Sequence, residues 1–273
     1  MKRFCLVFFF SLLVGYGIVF WRQEQCFVER PVILPSPVPA IVQRVGLGYF
    51  KEFAAETLFV RCAVFNGYVS SADVAANAAS VSLNLDVVTT LYPDFVDPYY
   101  LCQGMLPHIS PQYAVIANTI LVRAGDNLPQ SIEISFFRAF NLFYYLNEPV
   151  KAGELLFETS QKPDAPSWFA SLGGKLMGRG GNLFAGRQML QVVYASEQDE
   201  VLKEYFLRGI ENFDRAIQVQ QALDHYHSVE GRYVSSLEEL VPVYIERLPE
   251  FHDNSTLIWE PPVLKLKQKQ KER

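Results

Sequence analysis

The chain is poor in the residues that carry most enzyme chemistry. Its 273 residues include 4 His, 4 Cys, 4 Met and 3 Trp, and only 19% are charged. The cysteines, Cys5, Cys26, Cys62 and Cys102, form no C-x-x-C, so neither a zinc ribbon nor a dithiol redox motif is indicated. His225 and His227 stand two apart, roughly 200° around a helix, and so cannot share a metal as an i, i+4 pair does. His108 and His252 have no ligand partner nearby in sequence. Basic residues are not in excess. A net charge of −5 gives no electrostatic reason to expect nucleic-acid binding. Local sequence suggests no Ser/His/Asp or Cys/His arrangement. Gly178-Arg179-Gly180-Gly181 lacks the Lys-Ser/Thr of a phosphate loop and reads as a turn between helices. Asp94, Asp97, Asp164 and the group Glu197-Asp199-Glu200 fall at proposed helix starts, where the helix dipole favours negative charge. The expectation is a non-enzymatic protein with no catalytic, cofactor or metal residues and no small-molecule substrate.

What the chain has in quantity is apolar surface, at 50% of residues. After the basic Met1-Lys2-Arg3, Phe4 to Trp21 runs 18 residues without a charge. At ~1.5 Å per residue such a helix covers roughly 27 Å, near the ~30 Å of a bilayer core. No A-x-A follows Leu13, and the run ends in the bulky Ile18-Val19-Phe20-Trp21, which favours an uncleaved anchor over a cleaved signal peptide. Lys2 and Arg3 predict a cytoplasmic N-terminus and a periplasmic body. The expected organisation starts with an anchor over 1–22. A Pro-rich spacer over 23–40 follows, because Pro31, Pro35, Pro37 and Pro39 exclude a helix. Cys62 and Cys102 are either a pair in an oxidising periplasm or two small buried hydrophobes on helices.

From Ile41 the pattern is helical. Val45, Tyr49, Phe53, Leu58, Val60 and Val64 suggest one apolar face, and Ser70 with Asp73 marks the next helix start. Pro93, Pro129 and Pro163 stand 36 and 34 residues apart, each at the end of a helix-like stretch. Ser110-Pro111 and Pro149 read as helix openings. Glu197 to His227 predicts one long helix ended by Gly231, and Ser236-x-x-Glu239 a capping box for a short helix over Leu237 to Ile245.

A period near 34 residues is that of helix–turn–helix repeats of the tetratricopeptide kind. Phe169-x2-Leu172-Gly173-x2-Leu176 followed by Ala185-x3-Met189, Phe136-x2-Ala139-Phe140-x2-Phe143 followed by Ala152-x3-Leu156, and Ala117-x3-Leu121 before Pro129 resemble that family's pattern over about residues 98–197. Phe140 departs from it, standing where the family has a small residue. The resemblance implies an all-α, TPR-like solenoid over 41–197, with 198–250 as C-terminal capping helices. Residues 251–273 are expected to be an irregular, basic, disordered tail. A fainter likeness lies in Ala222-Leu223-x2-Tyr226, Gly231-x-Tyr233, Ser236-Leu237-x2-Leu240 and Leu248-Pro249, which resembles the C-terminal part of type II secretion pseudopilins. Val234 stands where that family usually has Pro, and the N-terminus lacks a prepilin site.

The function these features imply is a scaffold or assembly factor in a bacterial envelope complex such as a secretion, pilus or surface-polymer system. It would be single-pass in the inner membrane through residues 4–21, with other envelope proteins as partners. The alternative is an integral subunit of such a machine, held laterally by its membrane helix. Aromatics between 99 and 145 exceed what one helix face needs. Tyr99, Tyr144 and Tyr145 are the candidate partner-binding residues on the concave surface.

Overall fold

The computed structural model describes residues 14–19, 21–22 and 33–268. The stretch 4–21 expected as an anchor lies largely outside them, as do most of the spacer and the last five residues. Residues 14–19 and 21–22 are helical, and among the described residues no helix is long and apolar enough to cross a membrane.

The body is mostly helical. Residues 33–39 are extended and lead into α1 (Ala40–Leu47), a 3-10 turn (Gly48–Phe50) and α2 (Lys51–Tyr68). Then come α3 (Ser71–Ala76), α4 (Ala78–Leu91), α5 (Asp97–Met105), α6 (Pro111–Asn127) and α7 (Ile132–Phe140), which a π-helical turn (Asn141–Tyr145) extends. The series continues through α8 (Pro149–Ser160), α9 (Trp168–Arg179), α10 (Leu183–Ser196) and the 31-residue α11 (Glu200–Glu230). A 3-10 turn (Leu237–Leu240) and an antiparallel hairpin, β1 (Ser255–Glu260) with β2 (Val263–Gln268), complete it.

The boundaries follow local chemistry. α4, α6 and α8 end two or three residues before Pro93, Pro129 and Pro163. Pro111 and Pro149 each occupy a first helical position, where a missing N–H costs no hydrogen bond. Ser70 and Asp73 form a reciprocal capping box, as do Ser236 and Glu239. Asp199 accepts from the N–H of Val201 at 2.8 Å and of Leu202 at 3.2 Å, so the long α11 starts on a charged cap. Gly231 ends it with φ +67°, a left-handed conformation that suits glycine.

From α4 to α11 each helix packs on the next, α2 packs on α4, and α4 also reaches α6 as α5 reaches α7. The core is accordingly a series of clusters along the chain. Ala55, Leu58 and Leu91 gather between α2 and α4; Cys62, Leu85, Tyr99 and Leu121 between α2 and α7. Ala152, Leu156 and Phe169 lie around α8, and Phe206, Phe213 and Leu264 between α9, α11 and the hairpin. Cys62 and Cys102 are free and buried in one cluster, so the unpaired alternative holds.

Glycines set the closest approaches. A β-carbon at Gly153 of α8 would lie 2.7 Å from the carbonyl oxygen of Gly173 on α9. One at Gly186 of α10 would lie 2.9 Å from that of Gly174. The small pair between α9 and α10 is thus Gly174 and Gly186, one residue beyond the Gly173 and Ala185 that the sequence pattern singles out. Gly173 turns back toward α8 instead.

Three expectations need correction. Residues 33–39 are not a free spacer. Leu34 is buried in the core, its N–H donates to Asn77 Oδ1 at 3.0 Å, and Asn84 Nδ2 donates to the Pro35 carbonyl at 2.9 Å. Prolines lack N–H groups, but here the strap is held at both kinds of backbone group: Asn77, just before α4, accepts from the Leu34 N–H, and Asn84 of α4 donates to the Pro35 carbonyl. Second, the tail is ordered through Gln268. Leu264-Lys265-Leu266-Lys267 alternates with period two, and β2 turns Leu264 and Leu266 into the core against α9 and α11. Third, the apolar face proposed for residues 45–64 is, apart from Leu58, not the one buried. α2 buries Ala55, Leu58, Cys62 and Phe65, whereas Val45, Tyr49, Phe53, Val60 and Val64 are exposed. The helix carries two apolar stripes, and the one with the compact Ala and Cys approaches α4.

Candidate functional site: an apolar edge, an aromatic ridge and a cationic pocket

The first feature is the second apolar stripe just described. α1 buries no residue, and the turn after it presents Tyr49 at 95% and Phe50 at 67% exposure. Phe53, Val60 and Val64 extend the stripe along α2. α1 is held to the body through Arg44, which donates to the Thr90 carbonyl at 3.0 Å, so the edge is a fixed part of the fold. Its position is the first helices after the strap.

The second is a ridge of rings. Phe136 stacks on Phe169 at 5.6 Å and meets Trp168 edge-on at 5.8 Å. Phe140 stacks on Tyr144 at 5.3 Å, and Tyr144 meets Tyr145 edge-on at 5.0 Å. Trp168 and Tyr144 are exposed; Tyr145 is half-buried. The π-helical turn carries the two tyrosines, and its first residue pins it. Buried Asn141 donates to Gln103 Oε1 at 2.8 Å and Asn118 Oδ1 at 3.0 Å, and accepts from Gln103 Nε2 at 3.0 Å. The ridge therefore projects from a satisfied polar knot. Tyr99 does not belong to it: it is fully buried, with its hydroxyl donating to the Pro93 carbonyl at 2.9 Å. As a surface contact Tyr99 is excluded; its hydroxyl closes a turn. Burial also pushes that phenol up to about 12.

The third is a cavity of about 470 Å³ between α9, α11 and the hairpin, reaching Phe143 of the π-helical turn. Leu176, Phe206 and Phe213 make part of an apolar wall; Lys175, Arg179 and Lys267 bring three cations. Arg179 lies over the Phe143 ring at 4.7 Å and Lys175 Nζ is 5.2 Å from the Tyr205 ring centre. Ser171 Oγ donates to the Tyr205 hydroxyl at 3.4 Å. Burial alone would raise the Tyr205 phenol, but Lys175 and Ser171 outweigh it and hold it below the ordinary value. Asn212 fixes the loop before the hairpin, donating to the His252 carbonyl at 3.1 Å and accepting from its N–H at 2.8 Å. The next two residues, Asp253 and Asn254, both have φ +54°, a conformation these side chains tolerate.

The histidines are spread out. His227 stacks on Tyr233 at 4.1 Å, His225 meets Tyr244, and His252 reaches Glu211 at 2.7 Å, a partner 41 residues away that no sequence spacing suggests. Among the described residues no three His, Cys, Asp or Glu side chains gather as a metal-binding group. The pocket has no local sequence signal either, since its walls come from segments around 143, 171–179, 190, 205–213 and 253–268. No family model, no curated protein and no solved structure matches the chain.

Proposed function

We propose that the protein is a membrane-anchored scaffold or assembly factor of a bacterial envelope complex, built on TPR-like helix pairs, that holds another protein at the membrane. The observation that carries this reading is the apolar edge from Ile41 to Val64. Leaving a large apolar side chain in water forgoes roughly 1.5–3 kcal/mol, and this edge leaves several together, on the first helices after the strap that follows the apolar stretch 4–21. Patches of this kind mark interaction surfaces, and the aromatic ridge at Tyr144 and Trp168 offers a second one. Residues 4–21 would anchor the chain in the inner membrane with the body in the periplasm. Because Leu34 is held in the core, the 11 residues between positions 22 and 34 allow at most about 40 Å between membrane exit and body, which keeps the edge near the bilayer.

The test is site-specific photo-crosslinking of the full chain in membranes, with the reactive group at position 49 or 53. The scaffold reading expects one discrete protein adduct that disappears when Val60→Glu is added. Adducts to lipid alone would refute it. Exchanging residues 4–21 for an unrelated anchor separates the scaffold from the alternative, an integral subunit: retained adduct and function favour the scaffold, loss of both favours the subunit.

A further inference from the structure

The geometry points to the cavity between α9, α11 and the hairpin as a binding site for a small organic anion with an apolar body, such as an alkyl or aryl phosphate or carboxylate. The inference is independent of the membrane reading above. The chain carries a net −5, and several of its cations are matched by carboxylates: Arg123 by Asp86, Arg187 by Asp214, Lys265 by Glu260. Lys175 and Arg179 of α9 and Lys267 of β2 line one cavity, and none is in ion-pair contact with a carboxylate among the described residues. Among the described residues, the one carboxylate lining the cavity, Asp253, is exposed and pairs with none of them.

Three like charges around one cavity repel each other, and low-dielectric walls strengthen that repulsion. An anion placed among them relieves it. Polar groups stand beside the cations to receive such a head group: the Ser171 and Tyr205 hydroxyls, with Ser255 and Thr256 on the strand side. Against the opposing effect of burial, Lys175 and the Ser171 hydroxyl lower the Tyr205 phenol, so at least one of these cations already acts on a group lining the cavity. The rest of the wall has nothing to offer an ion. Leu172, Leu176, Leu190, Phe206 and Phe213 favour an aliphatic or aromatic body. The volume, about 470 Å³, lies within the roughly 300–1,000 Å³ of small-molecule sites. A mixed wall of this kind favours such an anion over a bare inorganic ion, which would leave the apolar part unused, and over a neutral hydrocarbon, which would leave the cations unmatched.

The experiment uses the full chain in phosphatidylcholine nanodiscs, with empty discs as the blank, titrated calorimetrically with hexyl phosphate. Saturable binding is expected, weakened at least tenfold by Lys175→Gln combined with Lys267→Gln. Hexyltrimethylammonium should not bind. Thr256→Trp, which fills the cavity from its half-exposed strand side without changing charge, should weaken hexyl phosphate to a similar degree. Circular dichroism establishes that each variant is folded. If the charge pair fails to fold, Thr256→Trp carries the test alone. Equal affinity of wild type and Thr256→Trp, equal binding of the cationic and anionic probes, or no saturable binding of hexyl phosphate would overturn the assignment. So would binding of a hexapeptide with a free C-terminal carboxylate but not of hexyl phosphate, since that outcome gives the site to a partner's chain end.

Discussion

On α8 and α9 a single added β-carbon would strike the neighbouring helix's backbone, whereas on α1 not one side chain is buried. Both regions are rich in apolar residues, yet one uses them to close a core and the other leaves them on the outside. The difference lies in which small residues accompany the large ones. Gly153, Gly173, Gly174 and Gly186 let α8, α9 and α10 approach until backbone meets backbone, and Phe213 of α11 then fills against Gly178 and Gly186. α1 and the turn after it have Gly46 and Gly48, but a β-carbon at either would meet nothing within 4 Å. Gly48, with φ +51°, marks a change of direction, not a contact. Composition is therefore silent on which apolar stretch is core. The positions of the smallest residues relative to a neighbour decide it.

The largest expected effect breaks the close crossing. Gly153→Val puts its β-carbon 2.7 Å from the Gly173 carbonyl oxygen and 3.3 Å from the Met177 backbone nitrogen, and backbone atoms have no rotamer with which to step aside. A loss of about 3 kcal/mol in urea unfolding is expected. Gly104→Ala is the reference, an exposed position in α5 with nothing within 4 Å, where alanine should stabilise by up to about 1 kcal/mol. Equal stability of the two variants would mean that α8 and α9 do not cross on their glycines.

Next in size is the strap. Leu34→Ala removes a side chain that is 2% exposed, at the point where the chain joins the apolar edge to the core. If residues 33–39 belong to the body, the cost is about 3 kcal/mol. A spacer that merely crosses solvent would show no change in the unfolding midpoint.

The third contrast is electrostatic. Around α2, α4 and α5, burial pushes Cys62 and Tyr99 up to about 12 and raises Cys102 further, whereas Tyr205 in the cationic pocket is lowered. For the first three, the unfolded chain loses protons at ordinary values, 9.0 for the thiols, while the folded chain keeps them. The native state then binds more protons than the unfolded one, so stability falls as pH rises from about 9 toward 12. Urea midpoints measured from pH 8 to pH 11 should drop, and Cys62→Ala with Cys102→Ala should flatten the decline. The same thiols should resist a maleimide at pH 8 until the protein is unfolded, tested in a chain with Cys5→Ser and Cys26→Ser.

The helical boundaries were legible because they rest on residues with short-range chemistry: Pro111 and Pro149 as openings, Asp199 as a cap, Gly231 as a stop. Pro93, Pro129 and Pro163 mark helix ends for the same reason. The site was far less legible. Tyr144 is exposed on a ridge, but Tyr99, equally aromatic and equally helical, is core, because its neighbour in space is decided by α4 and α6, far from it in sequence. The hairpin is illegible in the sequence because its alternation spans only a few residues among lysines that also suit a solvated tail. Without the hairpin there is no third wall and hence no pocket. Asn141 and Gln103, 38 residues apart, show the same limit for polar groups.

The smallest expected change in stability falls on the apolar edge, and it is the sharpest test of the contrast between the two regions. Tyr49 and Phe53 are 95% and 69% exposed, so Tyr49→Ser with Phe53→Ser removes two large side chains that contribute little to the folded monomer. The unfolding free energy should stay within about 0.5 kcal/mol. Similar truncations at Phe206 or Phe213, buried on α11, should cost about 3–5 kcal/mol. A loss above about 2 kcal/mol from the double serine variant would show that the edge is already covered within the protein itself. It would then not be available to a partner, and the two regions would differ only in what covers them.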